Sequence, residues 1–561
     1  MNDSKIQPVG VVDAVGVVDA VGVVDAVDVV DAVDVVVVGA GVTGLYAVHR
    51  LRGLGLAVRG FERGEDVGGV WYWNRYPGAR CDVESVDYSY SFDEELQQEW
   101  DWSEKYATQP EIVRYLGHVA DRFDLRRSYS FGTSVTSAEL DEETLRWTVR
   151  TDGGEVVSAR FCVFAVGCLS SAHVPDIPGA GDFAGPIHHT GAWPHGGVNF
   201  AGQRVGVIGT GSSGIQAIPL IAEQAAHLTV FQRSANFSIP AGNSPLDDET
   251  RRRQKAGYAE RRRLSRLSGG GSPHAAHPSA TFAVSPEERR AAFEERWELG
   301  GVLYSKTFPD QLTDRAANAE ARAFWEEKVR ALIEDPADAD LLVPTDHPIG
   351  TKRIVTDSDY YETFNRDDVR LVGLRENPIE RIDGGGVVLS DGTRVELDAI
   401  VFATGFDAMT GALDRVDVRG RGGRSLKEAW SGGPRTYLGL GVDGFPNLFS
   451  LTGAGSPSVM ANVVLCAEQH GDWLGDCLRH LDEHGYRAIE ASAEAVEQWV
   501  AQCRDRAAAT LFPEADSWYL GANIPGKPRV FMPFIGGFGL YGEIIADVAA
   551  SGYKGFELIR G

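Results

Sequence analysis

Two copies of one strand, glycine loop, helix and strand unit predict an α/β fold. The fold has two Rossmann-like dinucleotide-binding domains, each discontinuous in sequence, with a helical insertion. Three observations carry this. VDVVVVGAGVTGLYAVHRLRGLG sets a run of valines ahead of Gly39, Gly41 and Gly44, spaced as GxGxxG. The spacing returns after RVGVI at Gly209, Gly211 and Gly214, before the helical run IQAIPLIAEQAA and the strand LTVFQR. The apolar strands RFCVFAVG and LDAIVFATG each end in Ala-x-Gly, at Ala165-Val166-Gly167 and Ala403-Thr404-Gly405. Glycine there lets the backbone pass close to a cofactor or cross between domains.

Each element has its reason. A continuous valine run reads as a parallel strand buried on both faces, and Leu45, Val48 and Leu51 then recur at helical spacing. In each GxGxxG the first glycine makes the tight turn, the second lets a pyrophosphate approach the backbone N–H groups, and the third packs helix on strand. The helix N-terminus then attracts the phosphate charge.

The residue at the end of the second strand separates the two sites. Glu62 stands 23 residues after Gly39, at the end of AVRGFE, and a carboxylate there accepts hydrogen bonds from ribose hydroxyls, as FAD requires. Gln232 stands 23 residues after Gly209, with Arg233 beside it. A missing carboxylate and an adjacent guanidinium suit the 2′-phosphate of NADPH. A disulfide reductase would need a redox cysteine pair after the first site, and only Cys81 lies there, so reduced flavin is left to react with O2 or another acceptor.

Composition narrows the class. At 561 residues the chain exceeds one core, and two or three domains are expected. A net charge of −26 serves solubility and argues against nucleic acid and anionic membranes as partners. The six cysteines form no CxxC pair, which points to reduced thiols in a cytoplasmic protein, with neither a disulfide framework nor a metal site. No run of 18 uncharged apolar residues is present, so no membrane span is expected.

Along the chain, residues 1–32 form a low-complexity arm, read as mobile: Val9 to Ala32 is VGVVDA three times and then VDVVDA. The FAD-binding domain is expected over 33–165 and 397–561, and the NADP-binding domain over 166–242 and 345–396. Charged helical runs fill an insertion at 243–344, interrupted by a mobile loop from Gly269 (GGGSPHAAHPSA). Helices are expected near Val464–Leu481 and Ala493–Ala509. GAGSPS (Gly453–Ser458) and FIGGFGLYG (Phe534–Gly542) read as loops at a pocket edge.

Phe183-x-Gly185-x-x-x-His189-x-x-x-Trp193-Pro194, just ahead of the second GxGxxG, and GGVWYWNRYPGARCD (Gly68–Asp82) resemble type I Baeyer–Villiger monooxygenases. The likeness runs from about Val33 to the C-terminus and is closest to the phenylacetone and steroid monooxygenase branch. It implies an enzyme that holds FAD and NADPH, adds O2 at the flavin C4a as a peroxide, and converts a small ketone to an ester or lactone. It implies catalytic roles for Arg353, in GTKR, and for its carboxylate partner Asp82. Lys352 and Arg233, with Ser234, take the roles of 2′-phosphate contacts. Trp71 and Trp518 take cofactor contacts. His189 and Trp193 act as linkers between NADP binding and domain movement, with no proton transfer. The chain is expected as a monomer or weak homo-oligomer. The alternative is a flavin N- or S-monooxygenase acting on an amine or thioether; a third reading is a non-catalytic nucleotide-binding protein.

Overall fold

The computed structural model describes residues 31–560. The hexad repeat of the 1–32 arm lies outside the described residues as far as Val30. Its last two residues open strand β1 (Asp31–Val38), two positions ahead of the expected Val33 start. The ladder explains the difference, since Asp31 and Ala32 pair in register with Val157 and Ser158.

The first sheet is built from β1, β2 (Val58–Phe61), β3 (Tyr129–Ser130), β4 (Val135–Asp141), β5 (Arg146–Thr151) and β6 (Val156–Phe164), in the order β4-β5-β6-β1-β2-β3. β1 lies between parallel neighbours β2 and β6, while β4, β5 and β6 form an antiparallel meander. Val35 and Val37 face a core that includes Leu45, Leu51 and Leu474, and Val36 and Val38 face a second core around Trp147 and Phe164. A strand covered on both faces needs no polar alternation, which is why the valines run unbroken. Helix α1 (Val42–Gly53) comes directly after β1.

The second sheet contains β7 (Ile187–His189), β8 (Arg204–Ile208) and β9 (His227–Gln232), with helix α2 (Ser212–Ala222) crossing between β8 and β9. After β9, a short strand β10 (Ser238–Pro240) pairs in parallel with β11 (Val355–Asp357), which lies beyond the insertion. β12 (Val369–Gly373) then joins the second sheet. β13 (Ile379–Asp383), β14 (Gly386–Leu389) and β15 (Arg394–Glu396) form a separate antiparallel unit. β16 (Ala399–Phe402) completes the order β12-β9-β8-β16-β7, all parallel. β17 (Asp417–Arg419) and β18 (Leu448–Ser450) return to the first sheet, beside β4 and β6.

Three expectations need correction. The 396/397 boundary puts the strand of LDAIVFATG in the first unit, yet β16 hydrogen-bonds to β7 and β8 of the second. The chain crosses after that strand, at Ala403-Thr404-Gly405, as it does after β6 at Ala165-Val166-Gly167. The loop from Gly269 is tied down: the Gly270 carbonyl accepts from Asn462 N–H at 3.0 Å, and His277 N–H donates to the Thr307 carbonyl at 2.7 Å. Phe534–Gly542 is not a pocket-edge loop. Phe534 and Tyr541 are buried in the first core, and a helix runs from Phe538 to Ala550. Five helices, from Asp248–Ala256 to Pro336–Leu342, lie between 243 and 344. No helix among the described residues is long and apolar enough to cross a membrane.

Candidate active site

The two glycine loops face one cleft of about 1120 Å³. Every residue singled out from the sequence as a catalytic or cofactor contact lines it except Gly44 and Gly214. Those two lie beneath the loops: a Cβ at Gly44 would fall 1.8 Å from the Gly39 carbonyl oxygen, and one at Gly214 would fall 2.3 Å from that of Gly209. This is the helix-packing role of the third glycine.

The first glycines use a positive φ, +106° at Gly39 and +110° at Gly209, and each is backed by an Ala-x-Gly crossing. A Cβ at Gly39 would meet the Ala165 carbonyl oxygen at 2.6 Å, and one at Gly209 would meet that of Ala403 at 2.5 Å. Each crossing strand therefore closes the back of a nucleotide loop. Gly41 in turn packs on Gly69, whose neighbour Gly68 donates its N–H to the Ala40 carbonyl at 3.0 Å. That contact explains the paired glycines that open GGVWYW.

The donor chemistry fits two dinucleotides. α1 and α2 start at Gly41 and Gly211, and neither has a side-chain cap. Elsewhere Asp93, Ser285, Asp314 and Ser492 each cap a helix with a side-chain oxygen. The uncapped N–H groups of α1 and α2 are thus open to phosphate. Glu62 is buried and its two oxygens accept N–H from Ala40 and Gly64, both at 2.7 Å. Burial pushes its pKa up, against those two hydrogen bonds. The bonds fix its orientation and leave further lone pairs for ribose hydroxyls.

Arg233 and Lys352 lie close enough for each positive charge to oppose the other, with Arg375 adding to the effect. Burial, before these charges, pulls the Lys352 ammonium below its ordinary pKa, while Asp346 and Asp516 work the other way. Converging cations at a strand end suit a phosphate dianion. A guanidinium alone does not separate the two sites, however: Arg63 is next to Glu62 as Arg233 is next to Gln232. The surroundings do separate them. Arg63 lies over the Trp73 ring at 4.7 Å and reaches the Ser170 carbonyl, whereas Arg233 meets Lys352.

Between the sites, Arg353 donates to Asp82 through Nε at 2.6 Å and Nη2 at 2.8 Å, and through Nη1 to the Val459 carbonyl at 2.9 Å. Burial disfavours its charge, but Asp82 outweighs burial and holds the pKa above the ordinary value. The side chain is still 29% open, and it lines the cleft, so the charge is accessible from there. The β10–β11 pair brings the arginine here. It sets Asn236, just before β10, against Arg353, just before β11, with Asn236 Nδ2 donating to the Arg353 carbonyl at 3.3 Å.

Trp71 donates its indole N–H to Tyr88 Oη at 2.8 Å, and Trp518 packs beside Cys168, Met409 and Met532. His189 Nδ1 accepts from Gly191 N–H at 2.9 Å, so Nε2 carries the proton toward the His173 carbonyl at 3.1 Å. Burial also lowers its pKa. A neutral imidazole with both nitrogens engaged has no proton to exchange with a substrate. It instead ties His173 to Thr404 of the second crossing, 3.3 Å away. Trp193 is buried and its N–H reaches the Trp73 carbonyl at 3.4 Å, joining the fingerprint to GGVWYW. Cys81 is a buried thiol whose pKa is pushed up by burial and by Asp82, which disfavours thiolate chemistry.

Sequence reasoning missed several cleft residues. Thr43 pairs with Thr452 at 3.0 Å, and Cys168 donates to the Thr452 carbonyl. Arg63 and Arg415 also line the cleft. Of these, Arg63 alone left a signal, its place one residue after Glu62.

Two nucleotide folds sharing one cleft, with a fixed guanidinium between them and no thiol pair among the described residues, define a two-nucleotide oxidoreductase. Residues 32–240 match the flavin-binding monooxygenase-like family model. A Baeyer–Villiger monooxygenase of Pseudooceanicola batsensis is 45% identical over 530 residues, covering 94% of this chain and 96% of that protein. A phenazine N-monooxygenase of Lysobacter antibioticus is 42% identical, covering 93% and 96%. The solved structure of an oxidized steroid monooxygenase bound to NADP is 67% identical, with a TM-score of 0.91, covering 94% of this chain and all of that one. The chain belongs to the Baeyer–Villiger monooxygenases of the flavin-binding monooxygenase-like family.

Proposed function

We propose that this chain holds FAD at the Gly39–Glu62 unit and NADPH at the Gly209–Arg233 unit, and converts a small ketone to an ester or lactone. The balance is ketone, O2, NADPH and a proton in; ester, NADP+ and water out. The bound flavin, reduced by NADPH, supplies activated oxygen. The chain supplies the rest. Arg353 sets a permanent positive charge where negative charge develops on oxygen as the carbonyl is attacked. Asp82 grips two of its donors and aims the others. Arg233, Ser234 and Lys352 hold the 2′-phosphate. Trp71 and Trp518 line the cleft with apolar surface that excludes water, which protects activated oxygen from loss as H2O2.

The observation that carries this reading is the bidentate Arg353–Asp82 pair in a cleft shared by both glycine loops. Identity alone would not choose between ketone and amine, since a phenazine N-monooxygenase is among the relatives. A fixed cation favours an anionic, nucleophilic oxidant acting on a carbonyl. An amine or thioether needs the protonated, electrophilic form. We place the protein in the cytoplasm, as a monomer or weak homo-oligomer. A panel of aryl, cyclic and linear ketones with NADPH tests the function, with ester, N-oxide, sulfoxide and H2O2 measured separately. Coupled ester formation supports the reading. N-oxide from amines without ester from any ketone refutes it.

A further inference from the structure

Thr452 has a backbone that its side chain disfavours. Its φ is +53°, in the left-handed region, and among the described residues it is the one β-branched residue with a positive φ. Branching at Cβ makes that region costly. Such strain persists only where the surroundings enforce it, and it gathers at functional sites. Thr452 is buried in the wall of the cleft, two residues after the end of β18. Its hydroxyl donates to the Leu451 carbonyl at 2.7 Å and so accepts from the hydroxyl of Thr43, at 3.0 Å. Thr43 is the second residue of α1, within the first GxGxxG, and it lines the cleft too. The bond therefore joins the chain that leaves β18 to the glycine loop of the FAD unit. The Thr452 carbonyl accepts from Cys168 Sγ at 3.0 Å, just past the first crossing.

The remaining Thr452 group, its N–H, donates to His470 Nδ1 at 2.9 Å. His470 is wholly buried in the helix Val463–Glu483 and does not itself line the cleft. Accepting at Nδ1 leaves the ring proton on Nε2, which donates to Tyr541 Oη at 2.9 Å, and Tyr541 donates in turn to the Leu438 carbonyl at 2.7 Å. Each group in this chain is used in one direction, so the imidazole cannot turn without breaking a bond. Burial pushes the His470 pKa down to about 3, which keeps Nδ1 free to accept. The far end of the chain belongs to the same wall. Leu438 has a φ of +59°, and a Cβ on the next residue, Gly439, would lie 2.6 Å from Ser456 N in GAGSPS.

We propose that His470 is a positioning residue for FAD: it holds Thr452 in the left-handed turn, and Thr452 holds Thr43 and the first glycine loop in the shape that takes the dinucleotide. This rests on the reading of the Gly39–Glu62 unit as the FAD site. Without the imidazole the Thr452 N–H has no acceptor in the core, and a buried N–H without a partner is unfavourable. The turn then relaxes toward negative φ, and its hydroxyl leaves Thr43.

The test reads FAD binding and not turnover. Full-length protein is stripped of flavin, its Kd for FAD is measured by flavin fluorescence, and thermal unfolding is followed with and without FAD. His470→Leu removes the acceptor. His470→Asn places Oδ1 where Nδ1 stood, which keeps the bond to Thr452 and drops the one to Tyr541. The Kd should rise roughly tenfold or more in His470→Leu, the loss expected when a buried N–H is left unpaired, and return to within about threefold of wild type in His470→Asn. The rise in Tm produced by FAD should shrink in His470→Leu and recover in His470→Asn. Thr452→Val keeps the shape and loses only the hydroxyl; it should also raise the Kd, and it decides the link to Thr43 if His470→Leu does not fold. An equal fall in Tm with and without FAD, at unchanged Kd, would make His470 purely structural and overturns the proposal. So does His470→Asn binding FAD as weakly as His470→Leu, or Thr452→Val binding it as wild type does. If the stripped wild type takes up no FAD, the FAD reading fails instead.

Discussion

Replacing Arg353 with alanine should separate the two halves of the reaction. The guanidinium has five N–H donors; Nε and one on Nη2 go to Asp82, and one on Nη1 goes to Val459. Two remain for oxygen atoms in the cleft. Charge-assisted hydrogen bonds contribute roughly 1.5–3 kcal/mol each, so losing two costs about 3–6 kcal/mol of transition-state stabilisation. That is a fall of roughly a hundredfold to ten-thousandfold in oxygenation. Hydride transfer from NADPH places no such negative charge beside Arg353 and should survive. The assay is anaerobic stopped-flow: NADPH is mixed with oxidised enzyme and bleaching of the flavin absorbance gives the reduction rate. Oxygen and ketone are then admitted, and ester and H2O2 are quantified per flavin. The expected variant reduces its flavin within about tenfold of wild type, makes almost no ester, and returns the electrons as H2O2. Ester formation close to the wild-type rate would remove Arg353 from the chemistry. Loss of flavin reduction as complete as loss of ester would show a structural role only, with Asp82 left half-buried and unpaired.

Arg233→Ala and Lys352→Ala should each raise KM for NADPH by roughly tenfold to a hundredfold, the loss expected for one charge-assisted phosphate contact, with little change for NADH; an equal rise for both coenzymes would dismiss the 2′-phosphate assignment. Gly44→Ala puts a Cβ 1.8 Å from the Gly39 carbonyl oxygen, so purified protein should carry little FAD by the ratio of flavin to protein absorbance; full occupancy would show that the loop can shift. Asp357 is buried, and desolvation raises its pKa to about 6. The folded state therefore holds its proton more tightly than the unfolded chain, and stability is lost as pH rises from about 4 to about 6, by up to about 3 kcal/mol. Asp357→Asn should lack this decline and unfold at a higher temperature than wild type at pH 8; parallel pH curves for the two proteins would contradict it.

The fold was legible where local pattern and global position agree. The valine run, both GxGxxG loops and the helices Val463–Glu483 and Ala493–Ala508 show in sequence because each is set by its own periodicity. The meander of β4–β6 and the home of β16 were not legible in this way. Ala399–Phe402 is as apolar as β6, and only its pairing with β7 and β8 decides which sheet it enters. Within the site, Gly39 and Glu62 announce themselves by spacing within one unit. Arg353 and Asp82 lie 271 residues apart, and no spacing rule connects them; the likeness of their motifs does.

The placement of Arg353 results from how the two units are joined. Asp82 ends a segment that both units hold. Tyr76 Oη donates to Gln216 Oε1 at 2.9 Å, and Gln216 Nε2 donates to the Arg80 carbonyl at 3.1 Å, which binds the segment to α2. Cys81 N–H donates to the Ala107 carbonyl at 3.1 Å, which binds it to the first unit. Gly78 has a φ of +80°, and a Cβ there would lie 2.3 Å from the Gln216 carbonyl oxygen, so the approach is too close for any side chain. Arg353 stands just before β11 and makes its third bond to Val459, in the part of the chain that returns to the first sheet. The proposed catalytic cation is thus gripped from both sides of the junction between the two glycine-loop units. Any relative motion of those folds must carry Asp82 with Arg353 or break two charged hydrogen bonds. The close packing of Gly78 on α2 ties Asp82, and through it Arg353, to the second unit, while the bond to Val459 ties the same guanidinium to the part of the chain that returns to the first sheet.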